Sequence, residues 1–277
     1  MKVGFHMSIS KGFDWVYRES KRLKCDAVQI FVKNPRSWEE KRWRPEDIKH
    51  FKKLQGKIPV FAHLSYLPNL AKIDEDEKHI KGFIHEVELC LQLGINKMVV
   101  HCGSNVNTED GIKQIAKAID RILDKYGISI LLECSSGQGN GIGKRITELA
   151  GIFEKIVHKE RVFLCLDTAH LFQAGYDIRM KGTWNKTIRE VEESFGKNRI
   201  GLFHLNDSKT GLGSMVDRHW HIGKGCIGTD AFRYILNDKR FTNLPGVMET
   251  PKMDNMDEEN MKVIRSLFSP LMPCLSS

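Results

Sequence analysis

Eight short apolar segments recur along the chain, and a longer amphipathic or polar segment separates each one from the next. The clearest includes Val162, Phe163 and Leu164 in an unbroken apolar run that charged residues bound. Such runs are typical of strands covered on both faces, as in a parallel sheet. The predicted strands are 2–8, 27–32, 59–65, 97–103, 129–135, 162–168, 200–207 and 246–250.

Helical periodicity marks several of the intervening segments, most clearly 75–93, 108–126, 146–158 and 183–195. Alternating strands and helices imply parallel strands joined by right-handed crossovers. Eight such units in 277 residues predict an α/β protein, a single (β/α)8 TIM barrel. We expect one domain, 1–277, with an irregular tail from about residue 269 after the last apolar pattern. An open doubly wound sheet is the alternative, because strand number alone does not exclude it.

Six consecutive predicted strands, the third to the eighth, each end in His, Asp or Glu directly after apolar residues. One such residue is more often structural than a ligand, but six of metal-binding type in one register are hard to obtain by chance. In a barrel these ends surround one mouth, where active sites of the fold lie. Carboxylates with imidazoles suit zinc or manganese, and a set this large predicts more than one ion. The six are His63, His101, Glu133, Asp167, His204 and Glu249.

Further histidines and aspartates accompany these strand ends. His170 follows Asp167 by three residues, a spacing that fits either a helix cap or a metal pair. The glycine-rich segment 211–225 is either a surface loop with chance histidines or a further metal-binding loop above the same mouth. Its candidates are Asp217, His219 and His221. His6 has no carboxylate near it in sequence, so we expect it to support the ligands or to face the substrate.

The net charge of +8 and the pI near 9.0 favour a polyanionic partner, and they count against a site for a cation or neutral sugar alone. Seven scattered cysteines without a C-x-x-C pair suit a reducing cytoplasm. No apolar run reaches membrane-spanning length, and the N-terminal residues lack the features of a signal peptide. We therefore expect a cytoplasmic protein without a membrane partner, and a monomer.

Two loops carry residues suited to nucleic acid. After the second strand, Asn34 and Arg36 lie in a basic stretch interleaved with tryptophans, which suits a phosphate backbone or else a solvated charged surface. After the third strand, Tyr66 and Leu67 could insert between bases, or they could pack the interior of the loop. The glycine-rich segment 137–143 fits no nucleotide-binding fingerprint, so we expect a hinge or a phosphate contact there.

Together these motifs closely resemble the endonuclease IV family of apurinic/apyrimidinic endonucleases, over nearly the whole chain. The resemblance implies a (β/α)8 barrel with three zinc ions, or manganese in part of the site. It also implies hydrolysis of duplex DNA on the 5′ side of an abasic site, leaving a 3′-hydroxyl and a 5′-deoxyribose phosphate. The matching segments are 31–36, 62–67, 166–170, 174–176, 204–207, 216–219 and 249–251.

The resemblance also assigns each metal ligand. One zinc is assigned to His63, His101 and Glu133. A second is assigned to Glu133, Asp167, His204 and Glu249, with Glu133 as the bridge. A third is assigned to His170, Asp217 and His219. Glu133 and Glu249 are implied as the catalytic residues, and Arg36, Tyr66 and Leu67 match residues that enter the DNA at the lesion, with Asn34 beside them.

Two other functions fit part of this pattern. A xylose-isomerase-like sugar isomerase or epimerase would account for Glu133, Asp167, His204 and Glu249, but it leaves Asp217 and the basic charge unexplained. A DNA-damage binder without catalysis would leave the complete ligand set unexplained. The number of bound metal ions separates the nuclease from the isomerase, and cleavage of abasic duplex separates it from the binder.

Overall fold

Eight parallel strands form a closed barrel in the computed structural model, which describes residues 1–56, 58–72, 77–253 and 256–268. The barrel strands are β1 Lys2–Met7, β2 Ala27–Phe31, β3 Val60–His63, β4 Lys97–His101, β5 Ser129–Glu133, β6 Val162–Asp167, β7 Ile200–His204 and β10 Pro245–Met248. Around the barrel the order is β1, β10, β7, β6, β5, β4, β3 and β2, so the predicted barrel is confirmed and the open-sheet alternative is wrong. The short strands β8 Asp207–Ser208 and β9 His219–Trp220 pair with each other outside the barrel.

Helices connect successive strands and cover the outside of the barrel. They are α1 Phe13–Arg22, α2 Pro45–Gln55, α3 Lys78–Leu93, α4 Thr108–Leu123, α5 Ile146–Lys155, α6 Thr168–Gln173, α7 Lys181–Phe195, α8 Thr229–Leu236 and α9 Met256–Ser266. Local sequence determines where α4 begins, because the Asn107 side chain caps the helix by accepting hydrogen bonds from the amides of Glu109 and Asp110. Gly94 ends α3 with φ of 74°, a conformation that glycine adopts without strain.

The predicted elements extend one to three residues beyond the observed ones at several ends. The predicted strand 200–207 ends at His204, because Asp207 pairs instead in the β8–β9 hairpin. The predicted helix 108–126 ends at Leu123. Helix α3 begins at Lys78, and residues 75 and 76 of the predicted helix 75–93 lie outside the described residues, as does the predicted tail from 269.

Apolar side chains form two clusters, one inside the barrel and one around it. An inner cluster lies inside the strands, and a larger cluster packs the helices against the outer face of the sheet. The close approach of β1 to β2 requires Gly4, since a Cβ there would lie 1.7 Å from the carbonyl oxygen of Ala27. The inner cluster consists of Ala27, Phe61, Val99, Leu131, Cys165, Leu202 and Val247. None of the helices in the part of the chain that the structure describes combines the length and the apolar character of a transmembrane span.

Candidate metal centre

Glu133 lies at the centre of the polar residues that end the barrel strands. Its side chain is fully buried, and Oε2 lies 3.0 Å from Nε2 of His63 and 3.4 Å from Nδ1 of His101. Oε1 lies 2.9 Å from Nδ1 of His204 and 3.4 Å from Nδ1 of His170. One carboxylate therefore contacts four imidazoles, an arrangement that suits a carboxylate shared between two cations.

The register of the barrel brings these residues together. His101 pairs with Glu133 across β4 and β5, and Asp167 pairs with His204 across β6 and β7. Within the described residues, three groups of potential ligand atoms each lie within 4.8 Å of one another. The groups are His63 with His101 and Glu133, then Glu133 with Asp167, His204 and Glu249, and then Asp167 with His170 and His219. The first two groups contain the same residues as two of the ligand sets that the family resemblance implies.

The third expected set, His170 with His219 and Asp217, is also brought together, and Asp167 lies beside it. Asp217 is expected beside His170 and His219, and its Oδ1 lies 3.3 Å and 3.6 Å from their Nε2 atoms. Asp167 also forms a group with these two histidines, and its Oδ2 lies 3.4 Å from Nε2 of His219. Asp217 lies on a loop with its side chain 45% exposed, whereas Asp167 ends a strand and is fully buried. The centre thus offers two carboxylates, Glu133 and Asp167, that each belong to two groups.

The Asp167–His170 spacing fits either a helix cap or a metal pair, and in the structure these two roles fall to different oxygens of the Asp167 carboxylate. Oδ1 of Asp167 accepts a hydrogen bond from the amide of His170 at 3.0 Å and caps α6. Oδ2 faces the cluster and accepts a hydrogen bond from the Asn206 side chain at 2.7 Å. The helix cap therefore fixes the direction in which the second oxygen points, and the two roles do not compete.

The imidazoles strongly perturb the acidity of the centre. Burial alone would raise the pKa of Glu133, but the neighbouring His101 and His204 outweigh it and hold that pKa well below its ordinary value. Burial opposes protonation of His204, yet Glu249 and Glu133 raise its pKa to about 9. The pKa of His170 is well above its usual value, because Asp167, Asp217 and Glu133 outweigh the effect of burial.

Several supporting residues lie behind the candidate ligands. Nδ1 of His6 is 2.8 Å from Oε1 of Glu249, in agreement with the expectation that His6 supports the ligands. Sequence patterns missed Gln29, which contacts both Glu249 and His204, although a glutamine inside the apolar strand β2 was a usable signal. They also missed Asn206, whose side chain accepts a hydrogen bond from the amide of Glu249 at 2.7 Å.

His221 points away from the centre. Its Nδ1 lies 3.1 Å from the Asn260 side chain, and its Nε2 lies 3.3 Å from Sδ of Met253. The residue is buried between the loop and α9, where it joins the segment after β9 to the segment after β10. Of the candidates in the segment 211–225, only Asp217 and His219 face the cluster among the described contacts.

The loops after β2 and β3 form one wall of a cleft of about 590 Å³ that opens onto the centre. Tyr66 is 56% exposed, its ring centroid lies 5.1 Å from that of Phe31, and its amide donates to the carbonyl of Pro35 at 3.2 Å. Arg36 is exposed beside it, and the Asn34 side chain accepts a hydrogen bond from the Arg36 amide at 3.1 Å. Leu67 is half-buried. The two loops are therefore bonded to each other and present an aromatic ring and a cation together.

Comparison with known proteins agrees with this geometry. Residues 17–267 match the family described as a xylose isomerase-like TIM barrel. A protein of Chloroflexus aggregans named Probable endonuclease 4 is 44% identical over 279 residues, covering 96% of this chain and 97% of its own. The crystal structure of endonuclease IV from Thermus thermophilus has a TM-score of 0.85 at 33% identity, covering 96% of this chain and 98% of that one. A D-tagatose 3-epimerase-like protein shares the fold, with a TM-score of 0.74 at 17% identity and coverage of 96% and 97%.

Proposed function

The chain belongs to the endonuclease IV family, and we propose that it is a zinc-dependent endonuclease that hydrolyses the phosphodiester bond 5′ to abasic sites in duplex DNA. The products are a 3′-hydroxyl and a 5′-deoxyribose phosphate. The observation that carries the proposal is the set of three overlapping ligand groups that share Glu133 and Asp167 beneath one cleft. Shared carboxylates place cations close enough together to act on one phosphate.

The donor chemistry fits zinc. Imidazole nitrogens and carboxylate oxygens are its ordinary ligands, and no soft thiolate is present in any of the three groups of described residues. His63, His101 and Glu133 would hold one ion, and Glu133, Asp167, His204 and Glu249 a second. His170, His219 and Asp217 would hold the third, with Asp167 close to it. Manganese could occupy part of the site, since the same ligands suit both metals.

The bound ions would supply Lewis-acid catalysis and an activated water for attack on phosphorus. The protein's own residues would arrange that chemistry. Glu133 would hold two ions at a fixed separation, and Glu249 would orient the nucleophile while holding the second ion. Oε1 of Glu249 is restrained by His6 and Gln29, which leaves Oε2 facing His204 and the cluster.

The loops after β2 and β3 would recognise the lesion. Arg36 and Asn34 would contact backbone phosphates, which fits the net charge of +8. Tyr66 and Leu67 would fill the gap left by the missing base and kink the duplex. An abasic nucleotide is the easiest to extrude, because part of the unstacking cost is already absent. The protein would act as a monomer on DNA in the cytoplasm, in association with the nucleoid.

The sugar-isomerase alternative accounts for less of the structure. The likeness to the epimerase-like protein is at 17% identity and shows a shared fold. An isomerase would use Glu133, Asp167, His204 and Glu249, but it would give no role to His219 and Asp217 beside His170. Nor would it use the exposed Tyr66 and Arg36 at the edge of the cleft.

A cleavage assay on a labelled duplex with one abasic site tests the proposal. We expect a single incision 5′ to the lesion in the presence of zinc, and a product that a DNA polymerase can extend because it ends in a 3′-hydroxyl. An undamaged duplex of the same sequence is the control. An intact abasic duplex, or incision on the 3′ side, would refute the proposed activity.

A further inference from the structure

Gln29 lies in the middle of β2, and its side chain is completely buried inside the barrel beneath the cluster. The rest of that strand is apolar. A buried amide needs hydrogen-bond partners, because burying it without them is costly. Two of its partners are proposed ligands: Nε2 lies 2.7 Å from Oε1 of Glu249, and Oε1 lies 3.0 Å from Nε2 of His204. Nε2 also lies 2.9 Å from Nδ1 of His6.

The carboxylate of Glu249 determines which way the amide faces. If the nitrogen and oxygen of Gln29 exchanged places, two oxygens would face each other at 2.7 Å without a proton between them. The amide nitrogen therefore donates to Glu249. The amide oxygen can then only accept, so Nε2 of His204 must carry a hydrogen.

This hydrogen determines which nitrogen of His204 can bind a cation. In the neutral ring, a hydrogen on Nε2 leaves the lone pair on Nδ1. Nδ1 lies 2.9 Å from Oε1 of Glu133 and 3.2 Å from Oε2 of Glu249, within the cluster. Nε2 points to Gln29, away from those carboxylates.

The same amide also restrains Glu249. Gln29 and His6 both lie within hydrogen-bond distance of Oε1, at 2.7 Å and 2.8 Å. Oε2 is the oxygen that remains directed at His204. We propose that Gln29 is a positioning residue that selects Nδ1 of His204 and Oε2 of Glu249 as the atoms that bind the second ion. This inference rests on the metal centre of the proposed function.

Replacing Gln29 by methionine tests the inference, because methionine keeps the length of the side chain and removes the hydrogen bonds to Glu249, His204 and His6. In a competition titration of metal-free protein with zinc and a chelator of known affinity, we expect one zinc to bind about tenfold to a hundredfold more weakly. The other two should bind as in the unchanged protein. Leu202→Met is the matched control, since Leu202 is also buried inside the barrel but belongs to the apolar cluster.

Three unchanged zinc affinities in Gln29→Met would overturn the inference, and so would an equal loss in Leu202→Met. If Gln29→Met fails to fold, ¹⁵N spectra of the unsubstituted protein, labelled at its histidines and loaded with zinc, show which nitrogen of His204 binds the ion. A proton on Nε2 of His204 with zinc on Nδ1 supports the inference, and the opposite arrangement overturns it. Absence of bound zinc in the unchanged protein would overturn the metal centre and this inference together. Unchanged affinities in an active enzyme would overturn this inference alone.

Discussion

Glu133→Gln is the most informative single substitution, because it removes one charge while keeping the volume of the side chain. The carboxylate contacts His63, His101, His170 and His204 at 2.9 to 3.4 Å and belongs to two of the three ligand groups. One of those groups would keep two of its three ligands, and the other three of its four. We therefore expect the variant to retain one tightly bound zinc, in the group formed by His170, His219 and Asp217, with Asp167 beside it.

The expected loss of activity follows from the loss of ligands. Changing a residue behind a metal ligand already costs about tenfold to a hundredfold in affinity or activity, so loss of a ligand shared by two ions should cost at least ~100-fold. Removing one partner of a buried charged network typically costs about 3–5 kcal/mol, so the metal-free variant should also unfold more easily. The assays are zinc content by elemental analysis, the rate of abasic-site cleavage, and the free energy of unfolding of the metal-free protein in urea.

Glu154→Gln provides the matched control, since it makes the same chemical change at an exposed position on α5. It should leave zinc content, cleavage and stability unchanged. Full zinc content together with normal cleavage in Glu133→Gln would refute the assignment of Glu133 as a shared ligand. A loss of cleavage with full zinc content would instead place Glu133 outside metal binding.

Three further outcomes are expected. DNA affinity should fall steeply with salt, and Arg36→Ala should weaken binding and reduce the slope of log affinity against log salt by about one unit. Binding isotherms at several salt concentrations measure this slope, and a slope unchanged in the variant would show that Arg36 does not contact a phosphate. Tyr66→Ala with Leu67→Ala should lower the ratio of abasic to undamaged duplex binding by roughly tenfold to a hundredfold with zinc content intact; an unchanged ratio would place lesion recognition elsewhere. Zinc binding at pH 7 should release protons, because the pKa of His204 is raised to about 9 and that of His170 lies well above its usual value, so both rings are protonated without metal. Calorimetry in buffers of different ionisation enthalpy measures the release, and binding enthalpies independent of buffer would contradict it.

The strand ends could be predicted from the sequence because two local signals coincide there. Each strand is an apolar run, and the first ionisable residue after it marks the end that faces the mouth of the barrel, as at His101 and Glu133. Parallel strands in a closed barrel then bring all such ends together. The barrel and most of the candidate site follow from those two signals, without knowledge of distances.

The supporting residues could not be predicted in the same way. The sequence pattern places Asn206 and Asp207 together at the end of one predicted strand. In the structure they have separate roles, which depend on contacts with residues distant in sequence. Asn206 joins Asp167 to the Glu249 segment. Asp207 is buried and accepts hydrogen bonds from the amides of Gly223 and Ile227, which fixes the loop after β9. Local sequence carries no signal for a carboxylate that binds backbone amides so far along the chain.

The placement of Asp167 in a second ligand group was also beyond the sequence. The spacing of Asp217 and His219 indicated a pair on one loop, which the structure contains, and His219 also lies within 3.4 Å of Asp167. That proximity depends on the β8–β9 hairpin, which returns the loop over the mouth of the barrel. Strands of two residues, such as β8 and β9, have too short a pattern to be recognised in the sequence.

The central claim is that three ions held by overlapping groups carry out abasic-site incision. Its most direct test is the rate of cleavage of abasic duplex by metal-free protein as zinc is added in measured equivalents, with bound zinc counted on the same samples. The account predicts full activity only when about three zinc ions are bound per chain. Full activity with a single bound zinc, or no activity with three, would contradict it.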